Sequence, residues 1–303
     1  MKKMKKVLVI GGFGFIGTHL CKSYEKDGYQ VFKTSKFYDV VETSQSFRSD
    51  YSETSFTEML QNNNFDLIFY LSGNPYPGIS ENNAIYDVQQ TITPLVNLLS
   101  ASVRTKFKGV LWFASSVAVY GKTLHTFQRE SDTCHPLSSY ALAKFTCEEY
   151  LRLFSENHNI SCGSLRLFST FGEGLKRQII YDLYQKAISD SPNLELIGSG
   201  NEERDLCYVG DQVQRITILA NILKPSGEIY NIGNGFSIST FEIAKAILEI
   251  TGIAKNITFS EVTRKFDGYQ WCSCTKKFLS VANNPVTDFT IALKRTIDSY
   301  QLG

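Results

Sequence analysis

The segment Val7–Leu20, VLVIGGFGFIGTHL, constrains the fold more than any other part of the chain. A short apolar run leads into a glycine loop, and the loop opens a segment whose apolar residues recur at helical spacing. A glycine loop between a strand and a helix lets backbone N–H groups approach a pyrophosphate, and the helix N-terminus adds partial positive charge there. Two parsings fit. Gly12, Gly14 and Gly17 match G-x-G-x-x-G, whereas Gly11, Gly14 and Gly17 match the looser G-x-x-G-x-x-G. Phe15 and Ile16 carry the loop into the helix and join Gly11, Gly14 and Gly17 as expected cofactor contacts.

Beyond the loop, strand-like and helix-like patterns alternate. Strands are expected at Val7–Ile10, Gln30–Thr34, Ser46–Ser49, Asp66–Leu71, Gly109–Ala114 and Ser161–Phe168. Helices are expected near Gly17–Lys26 and over Phe56–Asn62, Ile85–Ser102 and Ser139–Ser155. Such alternation implies an α/β fold, a doubly wound parallel sheet of the Rossmann type. Ligands of these sheets sit at the carboxyl ends of the strands. From Ser169 onward the pattern is looser, with helices near Arg177–Ser189, Asp211–Leu223, Thr240–Thr251 and Thr287–Tyr300. Strands are expected around Leu194–Leu196, Ile229–Ile232 and Ile257–Phe259. Residues 1–168 therefore read as a nucleotide-binding domain. Residues 169–303 read as a smaller mixed α/β substrate lobe, with part of the chain returning to the sheet.

Composition removes several classes. A net charge of +1 argues against a protein built to grip nucleic acid or an anionic membrane. The basic start followed by an apolar run superficially resembles a leader, but glycines interrupt the run and no small-residue cleavage site follows. No stretch reaches about eighteen apolar residues, so no membrane span is expected. The seven cysteines lack a repeating spacing, and none of the four histidines pairs at ligand spacing with cysteines or acids. Reduced thiols, a cytoplasmic setting and no metal are the expectation.

The end of the second strand bears on which dinucleotide is held. An NAD site usually places Asp or Glu about twenty residues after the loop, against the ribose 2′-hydroxyl. Here Ser35 takes that position and Lys36 follows. A carboxylate would repel a 2′-phosphate, whereas serine and lysine welcome one. NADP is favoured, with NAD as the alternative. Asp50 is placed to bond the adenine amino group, with Tyr51 beside it, and Leu71, Ser72 and Gly73 to line the dinucleotide.

Tyr140 and Lys144, in SSYALAKF, lie one helical turn apart on a shared face. The pattern Y-x-x-x-K alone is weak, since Tyr29 and Lys33 also match it. That second pair spans a strand, where the spacing exceeds about 10 Å, and is discarded. Tyr140 gains weight from WFASSVAVYG, which ends a strand and brings Ser115 and Ser116 to the sheet's carboxyl edge.

With these residues in place, the chain resembles the extended short-chain dehydrogenases/reductases, a family of sugar-nucleotide epimerases, dehydratases and reductases. The Gly11/Gly14/Gly17 spacing, the Ser116 region and Tyr140/Lys144 follow that family's order. ERDLCYVGDQV (Glu203–Val213) is similar to its R-D-[FY]-[IV]-x-V-x-D signature, and IYNIGNG (Ile229–Gly235) to its [VY]-[YF]-N-[IV]-G-x-G. The resemblance covers nearly the whole chain and favours the looser glycine parsing. It implies that Tyr140 moves a proton to or from a sugar oxygen, that Lys144 activates it, and that Ser116 donates a hydrogen bond to the same oxygen. Ser115, Tyr140 and Lys144 are also implied as cofactor contacts. A phenol ordinarily ionises near a pKa of about 10, and lowering that by about three units takes roughly 4 kcal/mol. An ammonium about 4 Å away supplies roughly this at an effective dielectric near 20, so the pair must be shielded from bulk water.

The residues after the serine bear on the reaction. Dehydratases of the family place an acidic pair there, and enzymes coupling epimerisation to reduction use a cysteine nearby. This chain has Val117 and Ala118. Simple redox at one carbon remains, most simply C4. The expectation is an NADPH-dependent 4-keto reductase of an NDP-4-keto-6-deoxysugar. The alternatives are an NAD-dependent NDP-sugar 4-epimerase and, below it, a non-catalytic NADP sensor. The substrate diphosphate is expected at Arg204 and Arg177. Ser169 stands where the family usually has asparagine against the sugar, and Gln89 replaces an asparagine expected near the nicotinamide. A homodimer through the helices containing Ile85–Ser102 and Ser139–Ser155 is implied by the resemblance.

Overall fold

The computed structural model describes residues 4–36, 41–74, 83–122, 125–260, 270–283 and 286–301. The chain divides into two compact units, one of residues 1–122, 130–167 and 213–230 and the other of residues 123–129, 168–212 and 231–303.

In chain order the first stretch runs β1 (Lys6–Ile10), α1 (Phe15–Lys26), β2 (Gln30–Ser35), β3 (Ser46–Arg48), α2 (Glu53–Asn62) and β4 (Leu67–Tyr70). Next come α3 (Ala84–Asp87), a wide π turn at Val88–Ile92, α4 (Thr93–Arg104), β5 (Val110–Ser116), a tight 3₁₀ turn at Val117–Tyr120, α5 (Ser139–His158) and β6 (Cys162–Leu167). The remainder is β7 (Ser169–Phe171), α6 (Gln178–Ile188), β8 (Asn193–Ile197), β9 (Glu203–Arg204), β10 (Leu206–Tyr208), α7 (Val209–Ile222) and β11 (Ser226–Ile232). It ends with β12 (Ile238–Ser239), α8 (Thr240–Thr251), β13 (Asn256–Ser260), α9 (Lys276–Leu279) and α10 (Phe289–Gln301).

The first unit is built on a seven-stranded sheet ordered β11-β6-β5-β4-β1-β2-β3. Pairing is parallel from β6 through to β3. Every residue of Val7–Ile10 and Ile68–Tyr70 is buried, as strands covered on both faces require. On one face Leu8, Ile10, Ile68, Leu111 and Phe113 pack with Phe56 and Met59 of α2, Leu95, Leu98 and Leu99 of α4, and Leu151 of α5. On the other, Tyr24 of α1 packs against Phe69, and Trp112 against Tyr230. This is the doubly wound arrangement that the alternating pattern predicts.

Helix starts follow local chemistry. Ser52 accepts a bond from Ser55 N ahead of α2, Ser138 from Ala141 N ahead of α5, and Ser239 forms a full capping box with Glu242 ahead of α8. The sequence reading expects one helix over Ile85–Ser102, but the structure interrupts it. Pro94 lacks the N–H that an α-helix would send back to Gln90, and Thr93 N instead reaches Val88 O across the π turn.

In the second unit β7 pairs in parallel with β10, β8 in parallel with β13, and β9 antiparallel with β12. Leu183 and Tyr184 of α6, Leu194 and Leu196 of β8, and Ile243 and Ile247 of α8 are buried. The strands β7, β9, β10 and β12 and the helix α9 carry no expectation from the sequence: each has two to four residues, too few to show a period. Among the described residues no helix is long and apolar enough to cross a membrane, and no cluster of His, Cys, Asp or Glu is arranged to hold a metal.

Gly17 is the tightest joint in the loop: a Cβ there would lie 2.3 Å from Gly11 O and 2.8 Å from Gly12 Cα. Gly17→Ala is expected to destabilise the fold by about 1–3 kcal/mol. Urea denaturation followed by circular dichroism checks this, and an unchanged midpoint would contradict the packing.

Candidate active site

The glycine loop is folded back on the sheet edge. Gly11 N donates to Thr34 O at 2.8 Å, Gly14 N to Gly11 O at 3.0 Å, and Thr18 N to Gly14 O at 2.9 Å. Gly11 has φ of +86°, a region open to glycine, and a Cβ there would sit 2.9 Å from Ser72 N. The structure thus joins Gly11 to the Leu71–Ser72–Gly73 segment. Gly14, by contrast, meets only Gly11 O at 3.3 Å, and it heads α1 with no side-chain cap. No acidic residue lies in the first turn of α1. This cradle fits a dinucleotide phosphate: it combines uncapped N–H groups, an unopposed helix terminus and backbone stripped of side chains.

At the end of β2, Ser35 is buried and lies in register with Arg48 of β3. Arg48, exposed and unremarked in the sequence reading, adds a cation at the corner where an acidic residue is usual for NAD. Lys33 extends over the Phe13 ring, 5.2 Å from its centroid. The Lys36 Nζ donates to Gln90 Oε1 at 3.2 Å, on the π turn. Asp50 Oδ1 accepts from Ser55 Oγ at 2.6 Å and Ser52 N at 2.9 Å. These bonds hold its carboxyl below the ordinary range, the Ser55 bond most. The Tyr51 side chain is buried against Phe56, with its phenol beside Ser72 and Thr34, and burial pushes that phenol up to about 12. Tyr51 thus offers backbone, not its ring, to anything at the sheet edge.

β5 ends in Ser115 and Ser116. Ser116 caps the 3₁₀ turn, its Oγ accepting from Ala118 N at 3.2 Å, and it stays half-buried. Ser115 is buried, and its hydroxyl donates to Glu148 Oε1 at 2.5 Å, so the hydroxyl expected to touch cofactor is committed inside the protein. Glu148 also receives Arg166 Nε at 3.0 Å and Nη2 at 2.8 Å, with both side chains almost fully buried. Arg166 is the register partner of Ser115 and stacks 4.6 Å over the Tyr120 ring. The spacing Lys144-x-x-x-Glu148 was the available sequence signal for Glu148, since i,i+4 residues share a helix face, whereas nothing local marks Arg166.

Tyr140 sits in the first turn of α5, half-buried, with Lys144 one turn on. Lys144 is 5% exposed, and its Nζ donates to Ala114 O at 2.7 Å. The same nitrogen lies 4.7 Å from the Phe113 ring centroid and 5.9 Å from that of Tyr140. Burial brings its pKa down to about 8. The α5 helix, which packs on β5 and the 3₁₀ turn, therefore holds the phenol and the ammonium at the strand end that carries Ser116.

The π turn supplies a residue that the sequence reading missed. Gln89, which replaces an asparagine expected near the nicotinamide, is exposed, whereas Thr91 is fully buried. Thr91 Oγ1 accepts from Asn74 N at 3.3 Å and lies 3.2 Å from where a Cβ on Gly73 would be.

In the second unit Ser169 opens β7, Arg177 immediately precedes α6, and Arg204 lies on β9; all three are half-buried. Beside Arg204, the buried Asp205 carboxylate accepts from Asn234 N, Gly235 N, Ser273 N and Ser273 Oγ at 2.6–3.1 Å. Burial raises its pKa despite these bonds. Asp205 thereby ties the IYNIGNG loop to Cys272–Cys274, a segment from which the sequence alone yields nothing.

Residues 7–233 match the NAD dependent epimerase/dehydratase family. The chain belongs to that family, whose members act on sugar nucleotides, and is an enzyme of this class. It is 26% identical over 314 residues to the ADP-L-glycero-D-manno-heptose-6-epimerase of Brachyspira hyodysenteriae, covering 95% of this chain and 96% of that protein. It is also 26% identical over 255 residues to the dTDP-4-dehydro-6-deoxyglucose reductase of Escherichia coli, covering 80% of each. The solved UDP-glucose 4-epimerase of Thermus thermophilus, in complex with NAD, shares the fold with a TM-score of 0.86 at 22% identity, over 98% of this chain and 99% of that one.

Burying Lys144 has a measurable consequence. Its folded pKa of about 8 lies below the ordinary lysine value, so the unfolded chain binds more protons between about 8 and 10.5 and stability rises with pH across that window. In Lys144→Met this rise with pH is expected to be absent, whatever the variant's stability at neutral pH. Urea titrations at several pH values compare the two slopes; a variant whose stability rises as steeply as wild type between about pH 8 and 10.5 would contradict the assignment to Lys144.

Proposed function

We propose that the protein is an NADPH-dependent reductase of an NDP-4-keto-6-deoxysugar, with Ser116, Tyr140 and Lys144 as its catalytic residues. The observation that carries this reading is the end of β5. Ser116 presents a hydroxyl beside the helix bearing Tyr140 and Lys144, while the next residues, buried Val117 and half-buried Ala118, are hydrocarbon. Proton transfer is thereby restricted to one substrate oxygen, which suits redox at a single carbon and not elimination of water. When bound, the nicotinamide supplies the hydride. The Tyr140 phenol gives its proton to the sugar oxygen, and Ser116 donates a hydrogen bond to the same atom. The Lys144 ammonium stabilises the phenolate left behind, an effect strengthened by the low dielectric around it.

NADP is preferred over NAD on the chemistry of one corner: Ser35 brings no carboxylate, and Arg48 and Lys33 bring positive charge. Gly11, Gly14, Phe15, Ile16 and Gly17 hold the diphosphate, and Ser72 and Gly73 line its path. The substrate contacts proposed for the second unit are Ser169, Arg177 and Arg204, with guanidinium suited to bidentate phosphate binding. The second reading is an NAD-dependent 4-epimerase, favoured by the likeness to a 4-epimerase that holds NAD.

Reduced-nicotinamide absorbance separates the readings. A panel of 4-keto and 4-hydroxy sugar nucleotides is offered with NADPH and NADH separately. Net consumption of NADPH is expected with a 4-keto substrate; isomer formation without net consumption would establish the epimerase instead. Tyr140→Phe is expected to lower turnover by about 10²–10⁴-fold while keeping cofactor affinity. Unchanged function in that variant would leave a non-catalytic NADP sensor.

We also propose a homodimer. Ile85 on α3, Val88 on the π turn, and Leu142 and Leu153 on α5 are 56%, 40%, 54% and 43% exposed, an apolar set left uncovered among the described residues. Light scattering is expected to give twice the 34.2 kDa chain mass, and Leu142→Glu to return the single-chain mass. A monomeric wild-type protein would refute the dimer.

A further inference from the structure

Burying the Lys144 ammonium raises the question of what balances its charge. Five neighbouring groups can be weighed first. Glu148, one turn further along α5, is already spoken for: Arg166 holds it bidentately and Ser115 donates to it. The Cys147 thiol is pushed up to about 12 by burial and stays neutral across the physiological range. Tyr140, on the same helix, is a neutral phenol until it gives up its proton. From β5, Phe113 presents a ring and Ala114 a carbonyl, and neither titrates.

Asp87 remains. It closes α3, is 1% exposed, and faces the same cluster from another element. Its Oδ1 accepts from Asn74 Nδ2 at 3.0 Å, and Asn74 N in turn donates to Thr91 Oγ1 at 3.3 Å. A Cβ on the intervening Gly73 would lie 3.2 Å from Thr91 Oγ1 and 3.4 Å from Lys144 Nζ, so the four residues and the ammonium form one contiguous knot. The second carboxylate oxygen, Oδ2, is buried without a hydrogen-bond partner. A carboxylate half-satisfied in a dry interior is costly unless a positive charge lies close by.

We propose that Asp87 is a positioning residue whose carboxylate is the counter-charge that keeps Lys144 an ammonium inside the closed site. Its role is to preserve the charge on which activation of Tyr140 depends, without touching substrate. The field of Asp87 on Lys144 acts in that direction, favouring the protonated amine against the pull of burial. The proposal rests on the reading of Lys144 as the partner of Tyr140, but its test does not require turnover.

The test is to titrate the Lys144 ammonium directly, by the Nζ resonance in protein labelled with ¹⁵N-lysine. The resonance is assigned by its loss in Lys144→Arg. Asp87→Asn keeps an oxygen to accept from Asn74 and removes only the charge. The Lys144 midpoint is expected to fall by about one pH unit or more in this variant, a tenfold or greater loss of ammonium at any pH above both midpoints. Asp87→Glu, which restores the charge, is expected to recover most of the shift. Should Asp87→Asn fail to fold, Asp87→Ser carries the same measurement. The alkaline limb of turnover is expected to move with the resonance. A Lys144 midpoint unmoved in the neutral variants overturns the proposal, whatever the activity. A midpoint that moves in a protein without reductase or epimerase activity supports Asp87 as counter-charge and sinks the enzymatic reading alone.

Discussion

The site depends on a primary amine held almost wholly out of water. Lys144 gives up its hydration and receives one carbonyl, an aromatic face and a set of nearby acidic groups. Burial opposes the charge, and the surroundings restore only part of it. That balance is unfavourable for folding and favourable for chemistry, because a charge in a dry setting acts on its neighbour far more strongly than one in water. A protein whose net stability is the usual few kcal/mol above unfolding retains such a group only where the rest of the fold holds it firmly.

The surrounding elements provide that hold. β5 carries Ser116 and, two residues earlier, the carbonyl that receives the ammonium. α5 presents Tyr140 and Lys144 on consecutive turns and Glu148 on the next. The Glu148–Arg166 pair then joins α5 to β6, and Ser115 joins both to the strand end. Removing one partner of such a pair strands the other, at a cost of about 3–5 kcal/mol, so the geometry is enforced from within. On the opposite flank the glycine loop presses Gly11 against Ser72 and leaves Gly14 open, so that backbone alone lines the cradle.

Much of this was legible before any coordinates. The alternating periods specify the wound parallel sheet, and Val7–Leu20 specifies the loop, because apolar runs and glycines act locally and leave a local record. Tyr140 and Lys144 stand out through helical spacing, and Ser116 through its place at a strand end. Three features were hidden for identifiable reasons. The π turn at Val88–Ile92 lies where Pro94 lacks an N–H, and neither it nor the burial of Thr91 was read from the sequence. The Ser35–Arg48 pairing depends on strand register, which no local pattern encodes. The Asp205–Ser273 link joins residues 68 apart in the chain, and short strands such as β9 and β12 show no period.

The central claim is that these side chains direct a hydride from the bound nicotinamide to one sugar carbon and a proton to the oxygen on that carbon. The most direct test is to supply the reduced dinucleotide with deuterium at its transferable C4 position and locate the label in the sugar by NMR and mass spectrometry. The account predicts deuterium at sugar C4 with wild-type protein, and incorporation slowed by about 10²–10⁴-fold with Tyr140→Phe. A sugar nucleotide that is altered while carrying no deuterium, or carrying it at another carbon, would contradict the account.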